Sequence, residues 1–127
     1  MNWQIKSDTP IYSQLLDQLR QAIASGAFSP GERLPSVRDM ALEAGVNPNT
    51  MQRALSELER CGLVYSQRTA GRFVTEDKEM VEEAKKAIAE EHIRNFLDAM
   101  ARLGFMREEI IALLESRIRE ENGNGNI

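Results

Sequence analysis

Leu34-Pro35-Ser36-Val37-Arg38-Asp39-Met40-Ala41, then Gly45-Val46-Asn47-Pro48-Asn49-Thr50, then Gly71-Arg72-Phe73-Val74 mark out the segment 34–74, whose reading decides the fold. Ser36 suits a helix cap, because its hydroxyl can accept one of the backbone N–H groups that a first turn leaves unpaired. The helix it opens runs through Ala44, with Val37, Met40 and Ala41 facing inward. Gly45 supplies a turn, Asn47 caps the next helix, and Pro48 takes its first position, where a missing N–H costs nothing. Met51, Ala54, Leu55 and Leu58 recur at spacings of three and four, the signature of a buried stripe, and Gly62 closes the helix. Strands over 63–68 and 72–75 follow, joined by Thr69-Ala70-Gly71. Two short helices at a tight turn, then a hairpin with a basic tip, is the layout of a winged helix-turn-helix. In that fold the second helix enters the major groove of DNA.

Outward from this segment the chain is helical. A helix over 10–25 is expected, with Thr9 as its cap, Pro10 first, and Ile11, Leu15, Leu16, Leu19, Ala22 and Ile23 as its apolar face. Gly26 ends it, and the turn Ala27-Phe28-Ser29-Pro30-Gly31 returns Phe28 to the core. Glu76-Asp77 marks a boundary between a DNA-binding domain, 1–76, and a helical module, 77–127. Within the module a helix over 78–103 carries Ala89, Ile93, Phe96, Met100 and Leu103, spaced four, three, four and three. That is the period of a helix–helix seam. Gly104-Phe105 breaks the pattern, and a helix over 107–121 carries Ile110, Ile111, Leu114 and Ile118. Two helices bury little by themselves, so these nine positions are read as a dimerisation surface that a second copy completes. Residues 122–127 have tail composition and are expected to fray. The expected class is mostly α with a small β-hairpin: a winged helix-turn-helix domain plus a short two-helix dimerisation module.

Bulk properties narrow the function. At 127 residues the chain supports one domain, or a small domain with an appendage, and too little interior for an elaborate enzyme cleft. It shows no signal-peptide pattern and no apolar run of membrane-spanning length, and its one cysteine forms no internal disulfide. A cytoplasmic protein is expected. The net charge of −4 opposes nucleic-acid binding until it is located. Residues 1–75 hold eight Lys/Arg against seven Asp/Glu, a net of +1, whereas residues 76–127 hold eight against thirteen, a net of −5. The acidity belongs to the helical module.

On the helix opened by Asn47, the side opposite the apolar stripe carries Asn49, Gln52, Arg53 and Ser56. Amides can pair with adenine and arginine with guanine at the major-groove edge. Ser36, Asn47 and Thr50 lie at helix starts, where hydroxyls and free N–H groups suit phosphate oxygens, and Arg38 lies in a first turn. At the hairpin, Arg68, Thr69, Gly71 and Arg72 form a small basic tip suited to the DNA backbone or the minor groove. Each residue alone also has a plain reading, as a solvated helix face, a cap, or a protected sheet edge. Their assembly favours DNA. The rival is a winged-helix module whose polar face meets protein, which a broad apolar patch at that face would favour.

The runs Pro10-Ile11-Tyr12-Ser13-Gln14-Leu15, Pro30-Gly31-Glu32-Arg33-Leu34-Pro35-Ser36-Val37-Arg38, Val46-Asn47-Pro48-Asn49-Thr50 and Gly71-Arg72-Phe73-Val74 resemble the N-terminal domain of GntR-family transcription regulators. The likeness covers roughly residues 10–75, and the Asn-Pro-Asn-Thr start with a short helical tail resembles the YtrA subfamily. It implies a homodimeric bacterial regulator, usually a repressor, often of an operon encoding an ABC transporter. It also implies DNA contact at Arg38, at residues 47–53 and around Gly71. This chain departs from the common pattern where Pro48 and Gln52 replace arginines, where Cys61 replaces an acidic residue, and in the wing. There Thr69-Ala70-Gly71-Arg72-Phe73 moves the cation.

No catalytic constellation is legible, and no metal or cofactor is expected. The single histidine, His92, stands among Glu90 and Glu91 without partners at ligand spacing, and Cys61 ends a helix, where the dipole disfavours thiolate. The expected function is a homodimeric repressor, not an enzyme, that binds a roughly palindromic double-stranded operator. An unidentified small-molecule effector or a partner protein would act on the helical module.

Overall fold

The computed structural model describes residues 1–123; the remainder of the expected frayed tail lies outside the described residues. Its elements are α1 (Ile11–Ala24), α2 (Val37–Ala44), α3 (Pro48–Arg60), β1 (Val64–Gln67), β2 (Gly71–Val74), α4 (Lys78–Arg102) and α5 (Arg107–Gly123). The expected mostly helical class with a small hairpin is what forms, with five helices and one antiparallel hairpin among the described residues. By its contacts the chain divides into two compact units, Met1–Ile88 and Ala89–Ile127, with α4 running through the division.

The first unit is built on one core. Leu15, Leu19 and Ile23 of α1, Met51, Ala54, Leu55 and Leu58 of α3, and Val64 and Val74 of the hairpin are each 2% exposed or less. Met40 and Ala41 of α2, with Phe28 and Leu34 from the connecting segment, close its sides. Side chains of this size stabilise a fold by roughly 1.5–3 kcal/mol each when fully buried, which makes the α1–α3 contact the main source of cohesion. Met80, Val81 and Ala84, in the first turns of α4, also rest against this core.

The starts of α2 and α3 follow the sequence, that of α1 does not, and α5 runs two residues past its expected end, to Gly123. Ser36 Oγ accepts from the Asp39 N–H at 3.1 Å, and Asn47 Oδ1 accepts from the Asn49 N–H at 2.8 Å. Gly45 takes φ +70°, which lets the Gly45 and Val46 N–H groups bond back to Leu42 and Ala41 and turn the chain sharply into α3. At α1, however, the cap position is Pro10, and Thr9 makes no capping bond. Gln14 instead ties the residues before the helix to it. Its amide donates to the carbonyls of Lys6 and Thr9 at 2.7 and 3.0 Å and accepts from the Lys6 N–H at 2.7 Å. One turn later Gln18 brackets the backbone of Gln4 in the same way, at 2.8 and 3.0 Å. The residues before α1 are thereby held like a strand against side-chain amides. Ile11, expected on the apolar face, is 41% exposed.

The first strand is shorter than expected, because Leu63 is spent closing α3 through a bond to Leu58 and the tip takes in Arg68, while the second keeps four residues but begins at Gly71 and ends at Val74. The hairpin register pairs Val64 with Val74, Tyr65 with Phe73, Ser66 with Arg72 and Gln67 with Gly71. A third strand-like edge was not anticipated. Gly31 donates to Val74, Val74 to Glu32, and Leu34 to Arg72, each at 2.9 Å, and Arg33 bridges Phe73.

In the second unit Ile110 is buried at 7% exposure. Ile93, Phe96, Leu103, Ile111, Leu114 and Ile118 are between 37% and 72% exposed. Leu97, Met106 and Leu113 are also open.

Leu55→Ala would remove a side chain that is 1% exposed at the α1–α3 contact. A loss of about 2–5 kcal/mol in unfolding free energy is expected by denaturant titration.

Candidate nucleic-acid interface

The burial of Met51, Leu55 and Leu58 turns the other side of α3 outward, so Asn49, Gln52, Arg53 and Ser56 are all exposed. Asn49 makes no side-chain hydrogen bond among the described residues, and Gln52 makes only a long one, donating to Ser56 Oγ at 3.4 Å. Both amides are free to meet a base edge. Asn47 is committed to its cap, and Thr50 is half-buried. Ser36 is likewise committed, but the start of α2 is open, and Arg38 beside it is exposed with no ion pair among the described residues.

Arg53 has a partner that the sequence did not disclose. Its guanidinium carbon lies 4.4 Å from the centre of the Tyr12 ring on α1. Cation–π attraction at a partly exposed site is worth about 0.5–1 kcal/mol and holds the side chain in one orientation, with its N–H groups still available. At the end of α3, Arg60 donates back to both oxygens of Glu57, one turn earlier, at 2.6 and 2.9 Å. Those bonds hold the Glu57 carboxyl below its ordinary range, so the contact supports the last turn at neutral pH and disappears as acid protonates Glu57. Cys61 follows, half-buried, with its sulfur 4.0 Å from Glu57 Oε2.

The wing departs most from the sequence reading. Thr69 sits exposed in the turn, as expected, and Arg68, expected to end the first strand, is exposed there beside it. Arg72 does not stand free beside Gly71. Its side chain is only 20% exposed and its Nε lies 3.4 Å from Glu59 Oε1 on α3, the same oxygen that accepts from Ser66 Oγ at 2.8 Å. Strand alternation explains this: Arg72 and Ser66 are paired across the hairpin on the face toward α3. The residue whose guanidinium lies against Gly71 is Arg33. A Cβ at Gly71 would stand 3.2 Å from Arg33 Nε. Arg33 is exposed and carries no ion pair among the described residues. The signal was present in the alternation of Arg33 outward and Leu34 inward, in a stretch between turn and helix to which the sequence reading assigns no element.

Among the described residues no group of His, Cys, Asp and Glu could hold a metal ion, and no helix is long and apolar enough to cross a membrane. What stands together is an open polar helix face, a capped helix start and a small basic hairpin. This is a winged helix-turn-helix DNA-binding domain of a transcription regulator. The chain belongs to the gntR family of bacterial regulatory proteins, whose sequence pattern matches residues 11–74. It is 41% identical over 111 residues to the uncharacterised regulator YhcF of Bacillus subtilis, spanning 87% of this chain and 92% of that one. It is 36% identical over 93 residues to the transcriptional repressor YtrA of the same organism, 72% of either chain. A solved GntR-family regulator from Listeria monocytogenes superposes with a TM-score of 0.82 at 37% identity, over 88% of this chain and 98% of that one.

At Gly71 the φ of +101° favours glycine, and a Cβ there would crowd the Arg33 side chain, with Nε 3.2 Å away. Gly71→Ala should therefore cost about 1–3 kcal/mol in thermal or denaturant unfolding, and Ala70→Gly much less. At Tyr12, replacement by Phe should keep the mobility of Arg53 at the wild-type level in NMR side-chain relaxation, whereas replacement by Leu should release it.

Proposed function

We propose that the protein is a homodimeric repressor that binds a roughly palindromic operator in the cytoplasm, with residues 1–76 reading DNA and residues 77–127 joining the two copies. The observation that carries the reading is the exposed α3 face, where Asn49, Gln52 and Arg53 lie near the helix start, the part of a recognition helix that reaches furthest into a major groove. That face presents amides and cations and no apolar residue, which favours DNA over a protein partner. Asn49 and Gln52 are the base readers. The starts of α2 and α3, with Arg38, take phosphates.

Dimerisation has its own support. Ile93, Phe96, Leu103, Ile111, Leu114 and Ile118 of the second unit are open in the single chain, and a monomer seldom leaves so many large apolar side chains open on two successive helices. A second copy of the same surface would cover it and set two α3 helices at the spacing of two half-sites. The likeness to YtrA, named a transcriptional repressor, extends the reading to repression, and the subfamily resemblance extends it to an operon for a transporter. An effector would act by changing how the two copies join.

Three measurements test this. Footprinting on a duplex selected by the protein from random sequence should protect two inverted half-sites about one helical turn apart. Asn49→Ala or Gln52→Ala should lower the preference for that duplex over unrelated DNA by about 1–3 kcal/mol per lost base contact while leaving the unrelated binding unchanged. Sedimentation of the Phe96→Asp variant should show monomers and a matching loss of operator affinity, because an aspartate would be buried unpaired in the joined surface.

A further inference from the structure

We propose that the cation which the wing presents to the DNA backbone, beside Arg68, is Arg33, and that Arg72 is a structural tie between wing and recognition helix. This rests on the reading of α3 and the wing as a DNA-binding surface and assigns the charge within it.

The sheet has two faces, and the two arginines lie on opposite ones. Arg72 is in register with Ser66, and both side chains meet Glu59 of α3 through one carboxylate oxygen, at 3.4 and 2.8 Å. A guanidinium paired with a carboxylate is close to neutral as seen by a phosphate, and recruiting it would mean breaking that pair. Arg33 is bridged to Phe73, which is paired and stacked with Tyr65 at 5.6 Å, so Arg33 belongs to the other face. From there its side chain runs toward the tip. Its Nε and Nη2 would lie 3.2 and 3.6 Å from a Cβ at Gly71, the residue next to the turn that carries Arg68.

Gly71 thus has a second role. Besides its backbone angle, its missing side chain lets the Arg33 guanidinium lie close against the strand, where a Cβ would crowd it. The backbone of residues 31–34 is fixed to β2 by three bonds of 2.9 Å, so the side chain starts from a rigid strand. Arg33 also stands three residues before Ser36, whose helix start suits a phosphate. A cation there would extend that phosphate contact toward the wing. Its own neighbour Glu32 does not neutralise it, since the Glu32 carboxylate accepts from the Ser29 N–H at 2.8 Å and makes no ion pair among the described residues.

The test is the dependence of binding on salt, measured on a short duplex selected by the wild-type protein from random sequence and on an unrelated duplex. Each phosphate contact contributes about 0.9 to the slope of log affinity against log salt. Arg33→Gln should reduce the slope by about one on both duplexes, Arg33→Lys should keep it, and Arg72→Gln should leave it at the wild-type value. Thermal unfolding of each variant separates loss of charge from loss of fold, and the lysine variant keeps the charge readable if Arg33→Gln is unstable. An unchanged slope in Arg33→Gln, or a loss of about one in Arg72→Gln, overturns the assignment. A wild-type protein that binds neither duplex overturns the regulator reading itself, and this assignment falls with it.

Discussion

Everything that the surface of this protein offers depends on one contact, the burial of the α3 stripe against α1. Met51, Ala54, Leu55 and Leu58 are 1% exposed or less, and they meet Leu15, Leu19 and Ile23 across the interface. A helix so deeply seated on one side has no rotational freedom. Asn49, Gln52, Arg53 and Ser56 are therefore fixed on the outside, and a rigid array of donors and acceptors is what a base edge can discriminate. The capping of α3 by Asn47 and the left-handed Gly45 set its start, which is the end that carries the amides.

Those elements were legible because each has a local cause. A serine or asparagine before an apolar stripe, a proline at the first position and a glycine after the last turn state a helix and its limits with no help from the rest of the chain. The three- and four-residue spacing then states which side is buried. The places where the sequence reading departed from the structure need information from distant parts of the chain. Gln14 and Gln18 look like solvated helix residues until the backbone of residues 4–6 is laid beside them. Arg72 looks like a free cation until Glu59, thirteen residues earlier, is found across from it. Arg33 belongs to no legible element until β2 is paired with it. Tyr12 and Arg53 are forty-one positions apart and meet only because α1 and α3 pack together.

Charge placement follows the same logic. The chain is acidic as a whole, but the surplus lies after residue 75, and the surface built from α2, α3 and the wing retains Arg33, Arg38, Arg53 and Arg68. Glu59 is the one carboxylate on the line of Gln52 and Ser56 along α3, and it is matched by Arg72 and Ser66. An acidic residue on a surface that meets phosphate is costly unless it is paired. Pairing it with the hairpin converts that cost into a fixed angle between wing and helix.

The central claim is that the α3 face reads base sequence. The most direct measurement is competition: wild-type protein bound to a duplex it has selected from random sequence, challenged with increasing unrelated DNA at physiological salt. A preference for the selected duplex of about 10³-fold or more, with affinity that falls steeply as salt rises, is the predicted result. Equal displacement by unrelated DNA would contradict the claim, leaving a domain that holds phosphates and reads nothing.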